Sequence, residues 1–190
     1  MIRSSQQRAA YPYTVARDRK RNDLTLAIGQ IPIPTSPARM QNKGFLPYLP
    51  LLGEQPAALY KDWTVGAEFP PLPFTITPDI VREYNSAIDA DPDNYLIDGR
   101  QAAPTNVIFV YMMAVMYRLY PPQQGGIMLG NTIEFHNPVW ADEDTEVIGT
   151  GRVTDKLEKK GRKLIRYDVE FKRPDGTLLM SVNHTSAFPE

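Results

Sequence analysis

Val107 to Tyr117 reads Val-Ile-Phe-Val-Tyr-Met-Met-Ala-Val-Met-Tyr, an uncharged run with no polar stripe at helical spacing. A helix of that kind has no wet face, so its surroundings must cover it on all sides. Pro104 marks its start, Thr105 or Asn106 can cap it, and the pattern predicts a helix reaching about Leu119. Beyond Pro121-Pro122 and Gly125-Gly126 the period changes to two. Ile127, Leu129, Asn131, Ile133 and Phe135 define one face of a strand. Thr145 to Val153 makes a second, in which Gly149 and Gly151 allow close approach or a bend. In the third, Ile165, Tyr167, Val169 and Phe171 alternate with Arg166, Asp168, Glu170 and Lys172. Pro174-Asp175-Gly176-Thr177 is a turn, and Leu178, Met180, Val182 and His184 alternate down a last strand. A sheet with one wet face buries the other against a helix. The expected class is α+β, an antiparallel sheet wrapped around a long buried helix. Four strands cannot enclose such a helix, so two units are expected to pair.

Upstream, Thr77-Pro78-Asp79 is a helix start: a cap, a proline at the first position and an acid at the positive dipole end. Ile80, Val81, Tyr84, Ala87 and Ile88 follow on one helical face. The helix ends in Asp89-Ala90-Asp91-Pro92-Asp93-Asn94-Tyr95. Half of the 18 prolines fall between Pro32 and Pro73. Each removes a donor and restricts its predecessor, so residues 31–59 predict an extended arm rather than helices. Phe45, Leu46, Tyr48, Leu49, Leu51 and Leu52 are too apolar for a solvated linker, so the arm is expected to pack on a surface.

The net charge of −1 gives no reason to expect nucleic acid, and the absence of cysteine excludes disulfides and thiolate metal sites. With only two histidines, His136 and His184, no metal site is expected. No apolar segment follows the basic N-terminal residues, and Val107–Tyr117 falls short of the roughly 18 residues that span a bilayer. A cytoplasmic protein without membrane contact is the expectation.

Several short matches, in consistent order, carry a resemblance. Tyr60-Lys61-Asp62-Trp63-Thr64-Val65-Gly66, Phe74 to Ile80, Ala103-Pro104-Thr105, and Phe135-His136-Asn137-Pro138-Val139 with Asp142 to Thr145 are the segments concerned. Together they resemble the MaoC-like dehydratases, the (R)-specific enoyl-thioester hydratases of the hot-dog fold, and especially their N-terminal, less catalytic subset. The resemblance covers residues 60–190, leaving 1–59 as an N-terminal extension. It implies a helix ending in Asp, with Pro and then His beyond, and Tyr84 to Tyr95 is the corresponding stretch. In one register Ala90 and Tyr95 stand at the family's Asp and His. In the other, Asp89 and Asn94 do. Neither supplies the histidine, and the family's second His falls near Asn106 or Val107.

Hydration of an enoyl thioester needs a base for water, a proton for the α-carbon and donors for the thioester oxygen. Amides at the helix start, Thr105, Asn106, Val107 and Ile108, are the candidates for binding that oxygen. Asp89 or Asp91 is the candidate base, Asp89 being preferred, unless they and their neighbour Asp93 are solvated loop acids. Asn94 can orient water, and Tyr95 can donate a proton or close the pocket. His184 reads as a satisfied core histidine, or as a substitute base from another strand. His136 reads as structural or exposed. The resemblance thus implies a subunit of a hydratase or dehydratase with an altered acid–base pair, acting on a coenzyme A or acyl-carrier thioester without further cofactor. The alternative is a non-catalytic subunit that shapes the acyl tunnel of a partner. A thioesterase is a third reading, because one fold hosts several chemistries. Either way the expected partner is a second hot-dog chain, in a homodimer or heterodimer.

Overall fold

Each period-two segment forms a strand, and a strand from the proline-rich side joins them. The computed structural model describes residues 56–122 and 125–188. Strands β1 (Glu68–Ile76), β4 (Ile127–Phe135), β5 (Thr145–Lys159), β6 (Arg162–Lys172) and β7 (Leu178–Phe188) make one antiparallel sheet, ordered β1-β5-β6-β7-β4. Strands β2 (Leu96–Ile97) and β3 (Arg100–Gln101) form a separate hairpin. The helices are α1 (Pro78–Ala87), α2 (Asn106–Phe109) and α3 (Met112–Tyr117).

The alternation read in β6 is realised: Ile165, Tyr167, Val169 and Phe171 are fully buried. Full burial of one such side chain is worth about 1.5–3 kcal/mol. Their register partners on β7 continue the face, with Phe171 opposite Met180, Val169 opposite Val182 and Tyr167 opposite His184. Across β5, Gly149 lies opposite Phe171 and Gly151 opposite Val169. A side chain at Gly149 would meet Val115 of α3, and one at Gly151 would meet Phe69 of β1. The two glycines therefore hollow the sheet where α3 and β1 pack closest.

Strand β1 contains Pro70, Pro71 and Pro73, yet it pairs with β5 from Glu68 to Ile76. It sits at the edge of the sheet, the place where missing donors are tolerated, and its pairing slips between Phe69 and Leu72 around the first two prolines. Proline density points away from a strand here, and the edge position explains the exception. Ahead of β1, Tyr60–Asp62 forms a 3-10 turn rather than a strand.

The long central helix is a second correction. The chain breaks at Val110–Tyr111 into α2 and α3. Val107, Ile108 and Val110 are β-branched and poor helix formers. At the break the Tyr111 amide donates to the Ile108 carbonyl at 3.0 Å, a tighter turn than the α pattern, and the Tyr111 ring stacks on Phe74 at 4.0 Å. Nor is the segment covered on every side. Val110 is 39% exposed and Met113 and Tyr117 are partly buried, which leaves an apolar stripe one helical face wide.

Helix α1 starts as read, with Thr77 Oγ1 accepting from the Ile80 amide at 3.3 Å. Only Ile80 and Val81 of its apolar face are buried, while Ala87 and Ile88 are exposed. Of the expected N-terminal extension, residues 1–55 lie outside the described residues, and so does the apolar part of the arm. At its inner end Ala58 is buried, and its amide donates to the Pro121 carbonyl at 3.2 Å.

Candidate functional site

Asp89 owes its position to the end of α1. Ile88 closes the helix with its amide on the Tyr84 carbonyl, and the Ala90 amide reaches back to the Asn85 carbonyl at 2.9 Å. The second of these is the 6→1 bond of a helix C-cap, and it goes with Asp89 in the left-handed region at φ 51°. Asp tolerates that conformation better than most residues, which gives Asp89 a structural reason to be there. Its carboxylate is exposed and makes no hydrogen bond with another described residue. Asp89→Gly is therefore expected to stabilise the fold by about 0.5–1 kcal/mol, because glycine carries no Cβ penalty at this position. Thermal unfolding of the variant checks this, and a loss of stability would contradict it.

The residues that follow build a scaffold. Asp91 caps the 3-10 turn Pro92–Tyr95, its Oδ1 accepting from the Asp93 amide at 3.1 Å. Asn94 is exposed, and its amide is taken by the Asp91 carbonyl. Tyr95 is half-buried, its carbonyl accepting from Ala102 at 2.8 Å. Tyr84, on the preceding helix, has its hydroxyl pKa raised by burial and by Tyr95. Asp98 and Gly99 turn the β2–β3 hairpin with φ 51° and 79°. Arg100 then reaches Asp142 through two nitrogens, at 3.1 and 2.6 Å, and Glu143 at 2.9 Å, with its guanidinium 4.4 Å from the Trp140 ring. The hydrogen bonds from Arg100 hold the Asp142 carboxyl below its ordinary range. This clamp ties the segment after α1 to the turn before β5.

Of the four helix-start candidates, Thr105 and Asn106 are exposed, while Val107 and Ile108 are buried. The Val107 amide is already held by the Pro104 carbonyl at 2.9 Å, and α2 is a single turn. A short helix carries little aligned dipole, so this helix start attracts a developing negative charge less than a long helix would.

The histidines lie on the sheet. His136 Nε2 is 2.9 Å from Ser181 Oγ and 3.9 Å from Glu134. His184 is 0% exposed and stacks on Tyr167 at 4.5 Å. Its Nδ1 lies 2.6 Å from Asn131 Oδ1 and its Nε2 2.5 Å from Ser186 Oγ. Burial drives its pKa down to about 4, so the ring is neutral near pH 7. Neither imidazole is bonded to Asp89. His184 and Ser186 border a cleft of about 190 Å³ with Trp63, Met113, Tyr117 and Met128. The sequence reading gave Asn131 and Trp63 no functional role and passed over Ser186, although His184 and Ser186 at i and i+2 must share a face of one strand. Among the described residues, no cluster of His, Asp and Glu forms a metal-ligand set.

No protein-family model matches the sequence, and no curated protein matches it. Solved structures do match. A MaoC-like dehydratase from Rhodospirillum rubrum is 16% identical with a TM-score of 0.55, over 68% of this chain and 96% of that one. The (R)-hydratase of A. caviae involved in PHA biosynthesis is 16% identical at 0.53, over 68% and 99%. The HadBC (3R)-hydroxyacyl-ACP dehydratase complex of Mycobacterium tuberculosis is 18% identical at 0.53, over 65% and 96%. The chain therefore has the hot-dog fold that MaoC-like dehydratases and (R)-hydratases share. No helix among the described residues is long and apolar enough to cross a membrane.

Proposed function

We propose that this chain is a hot-dog subunit of a hydratase/dehydratase-type assembly, which binds an acyl thioester and relies on a second hot-dog chain for its acid–base pair. The observation that carries the reading is the isolation of Asp89. It is exposed, it serves a helix cap, and both histidines of the sequence are engaged elsewhere on the sheet. An exposed carboxylate without a histidine beside it lacks the enclosed, paired setting that general-base chemistry relies on. The thioester carrier, coenzyme A or a carrier protein, brings the only cofactor this reading needs, and a cytoplasmic location fits it.

The sheet edges support a partner. The β1 edge is broken by prolines. Strand β4 has none, and Ile127 (61% exposed), Met128, Leu129 and Phe135 stand open along it. Open apolar edges invite pairing with another chain. Two of the structurally similar proteins are complexes of two different chains by name, HadBC and ChsH1-ChsH2 of Mycobacterium tuberculosis. Sedimentation velocity tests the pairing. A dimer of this chain, or a complex with a hot-dog chain that carries an intact Asp–His pair, is expected, and Leu129→Lys on β4 should dissociate it. A monomer that stays single with every such chain would overturn the reading.

A further inference from the structure

The cleft at the β4–β7 end of the sheet holds polar groups that the hydratase reading leaves unused. Asn131, His184 and Ser186 form one line, with contacts of 2.6 Å and 2.5 Å on the two ring nitrogens. A carboxamide oxygen only accepts, so Nδ1 carries the ring proton. Asn131 Nδ2 is turned to Met128 Sδ at 3.1 Å, which fits that orientation. Nε2 is then a lone pair, and the Ser186 hydroxyl donates to it. This is the tautomer in which an imidazole can take a proton from a serine, with a third group orienting the ring. The low His184 pKa keeps Nε2 free at neutral pH.

A second observation points to a ligand at the same place. Trp63 is 3% exposed and lines the cleft, yet its Nε1–H is buried and has no acceptor among the described residues. A buried donor without a partner costs about 1–3 kcal/mol, which an incoming carbonyl oxygen would recover. The rest of the wall is largely apolar, with Met113, Met116 and Phe188 among its residues. The cleft measures about 190 Å³. An apolar cavity of about 150 Å³ takes a benzene ring, so an acyl chain of roughly six to eight carbons fits.

We propose that Ser186 is a nucleophile that accepts the acyl group of a thioester, with His184 as its base, Asn131 as the positioning residue and Trp63 Nε1–H as donor to the carbonyl oxygen. Ser186 Oγ bonds to the carbonyl carbon while its proton passes to His184 Nε2. The carbon–sulfur bond breaks, and the departing sulfur takes that proton and leaves as a thiol. Water then attacks the acyl-serine and gives its proton to Nε2. The ester bond breaks, Ser186 Oγ recovers the proton, and a carboxylic acid leaves. The balance is thioester plus water to acid plus thiol, which is distinct from hydration of a double bond.

The test uses the full chain and hexanoyl-CoA, whose saturated chain cannot be hydrated, so its outcome is independent of the hydratase reading. Thiol release is read with a thiol-reactive chromogen, free of background because the protein has no cysteine. A fluorophosphonate probe, located by peptide mass spectrometry on the unmodified protein, reports the nucleophile without any substitution. Expected are thiol release, label on Ser186, and a loss on the order of 10³-fold in Ser186→Ala. Trp63→Phe should lower kcat about 10–100-fold, because one donor to the developing oxyanion is lost. Asn131→Leu should lower kcat with KM unchanged, and Asn131→Asp should restore most of it. A folded wild-type protein with Ser186 unlabelled, or undiminished thiol release by Ser186→Ala, would overturn the proposal.

Discussion

Gly151→Ala is expected to destabilise the fold by about 3 kcal/mol, at the upper end of the usual cost of overpacking a core. A Cβ at this position would lie 2.5 Å from the backbone carbonyl oxygen of Asp168 on β6 and 2.8 Å from the Phe69 ring. The carbonyl belongs to a paired strand and cannot swing away, so the β5–β6 register must distort. Gly149→Ala should cost less, because its nearest contact is a side chain, Val115 Cγ2 at 2.6 Å. Urea unfolding measures both, and a midpoint for Gly151→Ala close to that of the parent protein would contradict the packing described. The m-value should stay constant if only stability changes.

Acidification from pH 6.5 to 4 is expected to remove about 2–3 kcal/mol of stability through His184 alone. Burial lowers its pKa from 6.5 to about 4 in the folded protein, while the unfolded chain keeps the ordinary value. Between those two values the unfolded state binds more protons, so protons favour unfolding. The stabilisation is complete above pH 6.5 and is lost as the pH falls through 4. The Asp142 and Asp175 carboxyls, lowered from 3.8 by the Arg100 hydrogen bonds and the Thr177 amide, act only below this window. Melting temperature followed against pH tests the sign. His184→Gln, which offers amide groups to Asn131 and Ser186, should flatten the curve between pH 4 and 6.5. A wild-type melting temperature constant across the window would show that His184 is not buried as described.

Much of the fold was legible because its strands are strongly periodic. Ile165 to Phe171 and Met180 to His184 alternate in the sequence and bury the same side in the structure. Gly149 and Gly151 were legible too, since small residues inside a strand mark close approach. What stayed hidden depends on tertiary placement. The prolines of β1 exclude a central strand, and only the finished sheet makes it an edge. The hairpin at Asp98-Gly99 was within reach, because Asp-Gly is a strong turn signal, but its two-residue arms carry no alternation. The break at Tyr111 follows from β-branched neighbours and from a stacking partner, Phe74, that lies far away in sequence. For the same reason, Asp89 in the sequence cannot be told apart as a base or a helix cap. The bond from Ala90 to Asn85 and the φ of 51° establish the cap. The relay of Asn131, His184 and Ser186 joins two strands, and spacing along one strand reveals only half of it.

The most direct test of the proposed function is hydration of crotonyl-CoA by the purified chain alone, followed as the 3-hydroxyacyl product by mass spectrometry while binding is measured by calorimetry. Saturable binding without any 3-hydroxyacyl product is the expected result, with hydration gained only on mixing with a hot-dog chain that carries Asp and His together. Steady hydration by this chain alone, abolished by Asp89→Asn, would contradict it. Asparagine also tolerates the left-handed conformation, so that substitution removes the charge and leaves the helix cap in place.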